Sequence, residues 1–540
     1  MSFTYDLTAE PWIPCLLTDG NMRDMSLAEV LAEAPSIREV LDPSPLVTAS
    51  LHRLLLAIVH RIYGPRDDEV WEEMWLSGRF EEDKIGAYFR EWRHRFDLFD
   101  GDRPFYQTPG MPETMLRSVN VLSLELAARD DKTLFDHSED ETATPISASL
   151  AARQLLACQA FSLGGLISAE KERKKDERSA KAAPLATAAV TMIHGMSLFH
   201  TLMLNAVCYD RDGELPSHFP NRNDCPAWED DTPPGEEERA PKGYLDYLTW
   251  QSRRLYLRPR TDPQGTPVVP AQVAKVIVAR GRRFPPNEFP LDTMTPRCVN
   301  PKAKAGEDPR PPIRFDAKRA LWRDSLALMQ ADGGIAAATL GSRPETLSNL
   351  ALLVEIGVIG RDAVCSVSAM GLCSEQKRVD FWRHERVPLP LAYLGDDALV
   401  GILRAALGLA EDVARALGRA VRGLASTVLQ GGEGRRVDRG AVTQLVDSLG
   451  QPAGYWSSLE PAFPTLLQVL PEADEEVRET ALVAWAATVE REVWRAWSEA
   501  IAGLPENARS MRAVVAAEGG LSMALGSLFN PYKEVKDDEA

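Results

Sequence analysis

The tightest constraint on the fold lies in the last third of the chain. Leu399, Leu403, Ala406, Ala410, Val413, Leu417, Ala420 and Leu424 recur in alternating steps of four and three. That spacing keeps one helix face apolar over many turns, the pattern of helices packed nearly parallel. A second seam, Leu482, Trp485, Val489, Val493, Trp497 and Ile501, predicts a helix over about 475–502, ended by Gly503 and Pro505. Shorter helical patterns cover about 455–470 and 507–528. An apolar seam needs a partner, so residues 391–540 are expected to close as a four-helix bundle with a charged tail from Lys533.

The preceding 390 residues have a different grammar. A chain of 540 residues is too long for one core. Residues 3–15 read as an extended segment around Trp12, and Asp19-Gly20 is a hairpin turn signal. Ser26 with Glu29 forms a capping-box pattern. Leu51, Leu54, Leu55, Val59 and Ile62 place an amphipathic helix over 48–63. Residues 128–146 are polar and without period, predicting a long mobile loop with one exposed aromatic, Phe135. Ser147 or Ser149 starts a helix that Gly164-Gly165 is expected to stop. Residues 209–243, rich in Pro, Asp and Glu, read as a surface insertion, Gln272–Ala279 as a strand, Lys318–Met329 as a helix, and 363–395 as short strands and turns. The expected class is α+β: a large mixed α/β N-terminal domain, residues 1–390, followed by the C-terminal four-helix bundle.

Charge is where a function shows. The chain carries a formal net charge of -18, yet a glycine pair is followed by a lysine- and arginine-rich segment, Lys171–Lys181. From Arg253 to Arg323 sixteen Lys and Arg face six Asp and Glu, a local excess of +10 that includes Arg280-Gly-Arg-Arg283. Screening confines fields to about 8–10 Å at physiological salt, so local clusters decide contact. The excess is therefore expected to be an electrostatic footprint for nucleic acid.

Catalytic chemistry is poorly represented. The eight histidines form no H-E-x-x-H, and the chain has no phosphate-binding G-x-x-x-x-G-K-[ST] and no G-x-S-x-G. His52 and His60 read as surface residues, His194 and His200 as packing partners. The seven cysteines form no C-x-x-C pair, which argues against a disulfide framework and a cysteine zinc site and suits a reducing cytoplasm. No catalytic residue, metal or cofactor is expected. The N-terminus lacks a signal-peptide pattern, and no run of about 18 apolar residues is present, so no membrane partner is expected.

A series of short islands carries a resemblance: Glu10-Pro-Trp-Ile-Pro14, Ser26-Leu-Ala-Glu-Val30, Pro104-Phe-Tyr-Gln107, Leu198-Phe-His-Thr-Leu-Met-Leu-Asn205, Pro226-Ala-Trp-Glu229 and Leu248-Thr-Trp-Gln-Ser-Arg-Arg254. In their order along nearly the whole chain, with the terminal bundle, they resemble the large subunit (CasA) of the type I-E CRISPR Cascade surveillance complex. The resemblance implies a non-enzymatic protein of the cytoplasm whose partners are double-stranded target DNA, other Cascade subunits with guide RNA, and a helicase-nuclease effector. Such a protein tests DNA for a protospacer-adjacent motif from the minor groove and helps open the duplex. The family's glycine loop falls on Gly164 and Gly165 with Leu166, and its glutamine wedge on Gln376 between Glu375 and Lys377. Its mobile first loop falls around Phe135. Lys275, Arg282 and Arg283 compete for its lysine finger. The alternative is a protein-interaction scaffold without direct DNA contact.

Overall fold

The computed structural model describes residues 3–124, 144–167, 170, 174, 178–210, 219, 223–316, 319–330, 342–375, 378–430, 437–472 and 474–537. They form two compact units. One comprises residues 1–315, 331–359 and 365–386; the other 316–330, 360–364 and 387–540.

The first unit is built on small antiparallel sheets. Strands β1 (Ile13–Leu17), β2 (Met22–Met25) and β3 (Ile37–Val40) form a sheet ordered β2-β1-β3. Gly20 takes a φ of +89° in the β1–β2 turn, a conformation glycine adopts without steric cost. Both halves of the Ser26–Glu29 capping box are present. Short strands β4 (Arg117–Ser118) and β5 (Ile146–Ser147) flank a longer strand, and two more, β6 (Gly165–Leu166) and β7 (Ser179–Ala180), pair with each other. β8 (Val190–His194) joins a third sheet. β9 (Arg253–Pro259) runs antiparallel to the long β10 (Gln272–Arg280). β11 (Val364–Glu375) and β12 (Arg378–Pro390) complete the order β12-β11-β8.

Helix α1 (Pro45–Ile62) is buried from Pro45 to His60, so it is a central helix and not the one-faced helix its spacing predicts. His52 and His60 are accordingly buried, which corrects their reading as surface residues. The His52 ring Nδ1 lies 2.8 Å from the Thr48 carbonyl oxygen. Neither ring nitrogen of His60 has a hydrogen-bond partner among the described residues. Its ring packs edge-on to Tyr244 and Tyr209, and burial depresses its pKa to about 3.

The islands prove to be core anchors. Gln107 is buried, donates to the Leu98 carbonyl and accepts from the Leu257 amide at 2.7 Å. Asn205 ends α3 (Leu198–Asn205), the helix after α2 (Ala148–Phe161), and bonds both the amide and the carbonyl of Ile193. Trp228 lies buried among Phe96, Phe105 and Tyr106, and Glu229 holds Arg61 at 2.7 Å. Residues 223–243 are thus more than the expected surface insertion. A buried polar group left without its partner costs about 1–3 kcal/mol, which ties each of these side chains to its place.

The second unit holds α4 (Asp397–Leu429), α5 (Arg439–Ser448), α6 (Gln451–Leu459), α7 (Phe463–Val469), α8 (Glu475–Ala502) and α9 (Ala508–Asp537). The α4 seam is buried as its spacing predicts, except that Val421 replaces the half-buried Ala420. Trp485, Val489, Val493 and Trp497 of α8 are buried as well. Three long helices and a broken fourth element make the bundle. The break falls where Pro452 and Pro464 enter the first turns of α6 and α7, positions at which the missing amide hydrogen costs nothing. Tyr455 and Trp485 each donate to an α4 carbonyl, at 3.0 and 2.9 Å. Between Ala513 and Tyr532 helix α9 carries one charge, Glu518, and it is long and apolar enough by length and composition to cross a membrane. No unbroken apolar run is present, because Glu518, Ser522, Ser527 and Asn530 interrupt it. Val514, Val515, Leu521, Met523, Leu525, Leu528 and Phe529 nevertheless raise the mean hydropathy of the segment, so the expectation that no helix is apolar enough to span a membrane is corrected. Here Ala513, Val514, Leu521, Leu525 and Phe529 are buried within the bundle unit.

Candidate nucleic-acid interface

Helix α2 does not end on its glycines. Ser147 caps its start, and Ser162 ends it with an extended backbone and its hydroxyl donating to the Cys158 carbonyl at 2.6 Å. Gly164 and Gly165 follow, free to do something else. Gly165 and Leu166 form β6, paired with Ala180 and Ser179 of β7 at the far end of the basic segment. The two glycines are not equivalent. A Cβ on Gly164 would sit 3.0 Å from the Ala182 amide nitrogen and 3.3 Å from the Ala180 carbonyl oxygen, whereas a Cβ on Gly165 meets nothing within 4 Å. Leu166 beside it is exposed.

Arg253 fastens this hairpin to the sheet. It is buried and donates to the carbonyls of Leu163 at 2.9 Å and Lys181 at 3.0 Å, one on each side of the hairpin. Glu170, between the two strands, takes Arg254 at 3.5 Å and the Arg280 amide at 3.3 Å. The glycine pair and the 280–283 cluster are therefore neighbours through named bonds.

The arginines themselves are not a bare positive surface. Glu236 pairs with both Arg254 and Arg280, Glu237 with Arg282, and Glu238 with Arg283 at 2.7 Å. The backbone joins in, with the Arg283 amide donating to Glu237 and the Arg239 amide to Arg283, each at 3.1 Å. Burial pushes the Glu237 carboxyl up, but Arg282 overrides it and holds it below the usual carboxylate range. An acidic strap, Glu236-Glu237-Glu238, thus covers the cluster. The +10 excess of residues 253–323 is corrected accordingly. Much of it is internal charge whose partners lie outside the counted stretch: Arg258 meets Glu113 at 2.5 Å, and in the other unit Arg319 and Arg323 meet Glu411 at 3.0 and 2.8 Å.

The expected contact residues now divide. Arg282 is withdrawn, because its side chain is buried on Glu237. Arg283 is half-buried on Glu238. Lys275 stands exposed on β10, beside Ser118 of β4 and Arg258 of β9, and no described residue pairs with its ammonium. Glu375 closes β11, and β12 resumes at Arg378. Gln376, Lys377 and Phe135 lie outside the described residues.

The strap was missed in the sequence because residues 209–243 read as an insertion. Its signal was present: three consecutive glutamates complement an Arg-x-Arg-Arg run. His194 and His200 are packing partners, bonded to Ser368 at 2.7 Å and Ser197 at 2.8 Å. Among the described residues no group of His, Cys, Asp and Glu is arranged to hold a metal ion.

Residues 6–496 match the family model of CRISPR-associated protein Cse1. The CRISPR-associated protein CasA/Cse1 of Thermus thermophilus is 31% identical over 542 residues, covering 97% of this chain and 98% of that protein. Among solved structures, Thermus thermophilus CasA matches with a TM-score of 0.78 at 28% identity, over 97% of this chain and 100% of that one. Thermobifida fusca Cse1 matches with a TM-score of 0.77 at 25% identity, over 97% and 98%. A chain of a CRISPR RNA-guided surveillance complex shares the fold, with a TM-score of 0.75 at 21% identity over 96% and 99%. A mixed α/β unit, a terminal bundle and a family match along nearly the whole length lead to one conclusion: this chain belongs to the Cse1/CasA family of CRISPR-associated proteins.

Proposed function

We propose that this chain is the non-catalytic large subunit of a cytoplasmic RNA-guided surveillance complex. In this reading it recognises a protospacer-adjacent motif in double-stranded DNA, promotes duplex opening and recruits a helicase-nuclease. Its partners are the target DNA and the other subunits with their guide RNA. The observation that carries the reading is Gly165, whose backbone has open space where a side chain would stand, on a hairpin fixed by Arg253. Such a backbone can approach base edges that a Cβ would obstruct.

The minor groove offers few distinguishing groups, so a reader there is tolerant by nature. Lys275 supplies a cation for the groove or for phosphate. Gln376 is the proposed wedge, with a flat amide to insert between base pairs at a cost of a few kcal/mol per step. Guide pairing then replaces each lost DNA pair almost evenly, so the protein supplies nucleation and requires no nucleotide hydrolysis. With few exposed cations, binding stays weak and reversible, and falls as salt rises.

The strapped arginines favour a second reading, an interaction scaffold whose loops never touch DNA. Gel shifts separate the two, using the complex assembled with guide RNA on duplexes with and without the motif. Under the first reading Gly165→Ala and Gln376→Ala impair target opening while the complex still assembles. Loss of assembly, with no difference between the two duplexes, would establish the scaffold.

A further inference from the structure

Among the described residues Trp382 is the only exposed tryptophan of the chain's twelve, at 43% of its surface. It lies on β12, the outer strand of the order β12-β11-β8. Along that strand exposure alternates: Trp382, His384 and Arg386 are exposed, while Phe381, Arg383 and Glu385 are half-buried. Same-face neighbours on a strand stand about 7 Å apart. One strand face therefore presents an indole, an imidazole and a guanidinium in a row. These are the flat groups on which unpaired bases stack.

Two of the three are held in fixed orientation. The His384 ring Nε2 lies 3.0 Å from the Ser368 hydroxyl, which also meets the His194 ring at 2.7 Å. Arg386 donates through Nε to Ser366 at 2.7 Å and through Nη1 to Glu39 at 3.0 Å. Bonds made at the edge of a guanidinium leave its two faces unused. On the opposite side of the strand Arg383 covers Phe381 at 5.4 Å and Phe315 at 6.0 Å, and so fixes the strand from below.

We infer that the Trp382–His384–Arg386 row is a stacking platform for single-stranded DNA. The inference rests on the proposed function, for it gives the strand released by duplex opening a place to go. The occupant follows from chemistry and position. Glu39 pairs with Arg386 and Glu385 with Arg383, so the flat faces of the row, rather than a net charge, suit it to unpaired bases. Trp382 stands four residues beyond Arg378, the second residue after the proposed wedge, so about 13 Å along the strand. Bases freed by the proposed wedge meet Trp382 before any residue farther along β12. Stacking on a π-face is tolerant of sequence, which a strand of arbitrary sequence requires.

The test uses the full chain and a fluorescein-labelled twenty-nucleotide oligo(dT), read by anisotropy and by iodide quenching of tryptophan emission. Oligo(dT) should shield the exposed indole from iodide. Trp382→Ala should weaken oligo(dT) binding by about 5- to 150-fold, the range of one lost base–aromatic stack. Trp382→Phe should restore most of it, and both variants should melt with the parent because the side chain is exposed. Unchanged oligo(dT) affinity in Trp382→Ala, or no shielding of the parent, overturns the platform. So does failure of Trp382→Ala to assemble with partner subunits without DNA, which would make this face a protein-docking edge. Motif-dependent gel shifts that persist in Trp382→Ala would leave the proposed function standing while the platform falls.

Discussion

Paired glycine substitutions test whether the hairpin backbone is read by DNA. In Gly165→Ala the new methyl meets nothing within 4 Å, so the folded protein has no clash to relieve. Substituting alanine on unstrained backbone also trims the entropy of the unfolded chain, so stability should hold or rise by about 0.4–1 kcal/mol. Gly164→Ala is the internal control. Its methyl would sit 3.0 Å from the Ala182 amide nitrogen and 3.3 Å from the Ala180 oxygen, and backbone must shift to admit it. Overpacking of that kind costs about 1–3 kcal/mol. Urea midpoints of the two purified variants should therefore differ, with Gly165→Ala at or above the parent. Binding should rank them the other way relative to stability. If a groove wall reaches van der Waals distance of the Gly165 backbone, one methyl costs about 1–3 kcal/mol there too, a loss of roughly 5- to 150-fold for a motif-bearing duplex. Gel shifts of the assembled complex measure it. A Gly165→Ala complex that is stable and binds that duplex like the parent refutes the reasoning, since nothing would then approach the open backbone.

Other consequences follow from the same geometry. Lys275→Ala should weaken binding to all duplexes alike and lower the slope of log affinity against log salt by about 0.9, as for one phosphate contact, in a salt titration. Glu238→Gln releases the half-exposed Arg283 and should change stability by no more than about 1 kcal/mol while steepening that slope, whereas Glu237→Gln strands the buried Arg282 and should destabilise by about 3 kcal/mol in urea. Burial holds His60 neutral, with a pKa near 3 against about 6.5 unfolded, so its contribution is intact above pH 6.5 and fades as acid protonates the unfolded state first. Between pH 7 and pH 5 that one residue should remove about 2 kcal/mol from the unfolding free energy, and His60→Phe should flatten the profile by that amount; parallel profiles would contradict it.

Local order was largely legible in the chain. The α4 and α8 seams, the Ser26–Glu29 cap, the Asp19-Gly20 turn and the β10 strand depend on residues a few positions apart, and short-range sterics and periodicity determine them. The family resemblance was legible too, because its islands hold side chains such as Gln107 and Asn205 that bond buried backbone. What residues 253–323 do with their positive charge was not legible. A count along the chain assigns each arginine its neighbours in sequence, but Coulomb attraction acts through space, and Glu170, Glu236–Glu238 and Glu411 reach those arginines only after folding. The same holds for α1, whose spacing describes one apolar face although tertiary packing buries every side. It holds for the glycine pair, where identical residues differ only in what stands beside them, a β7 backbone near Gly164 and open space at Gly165.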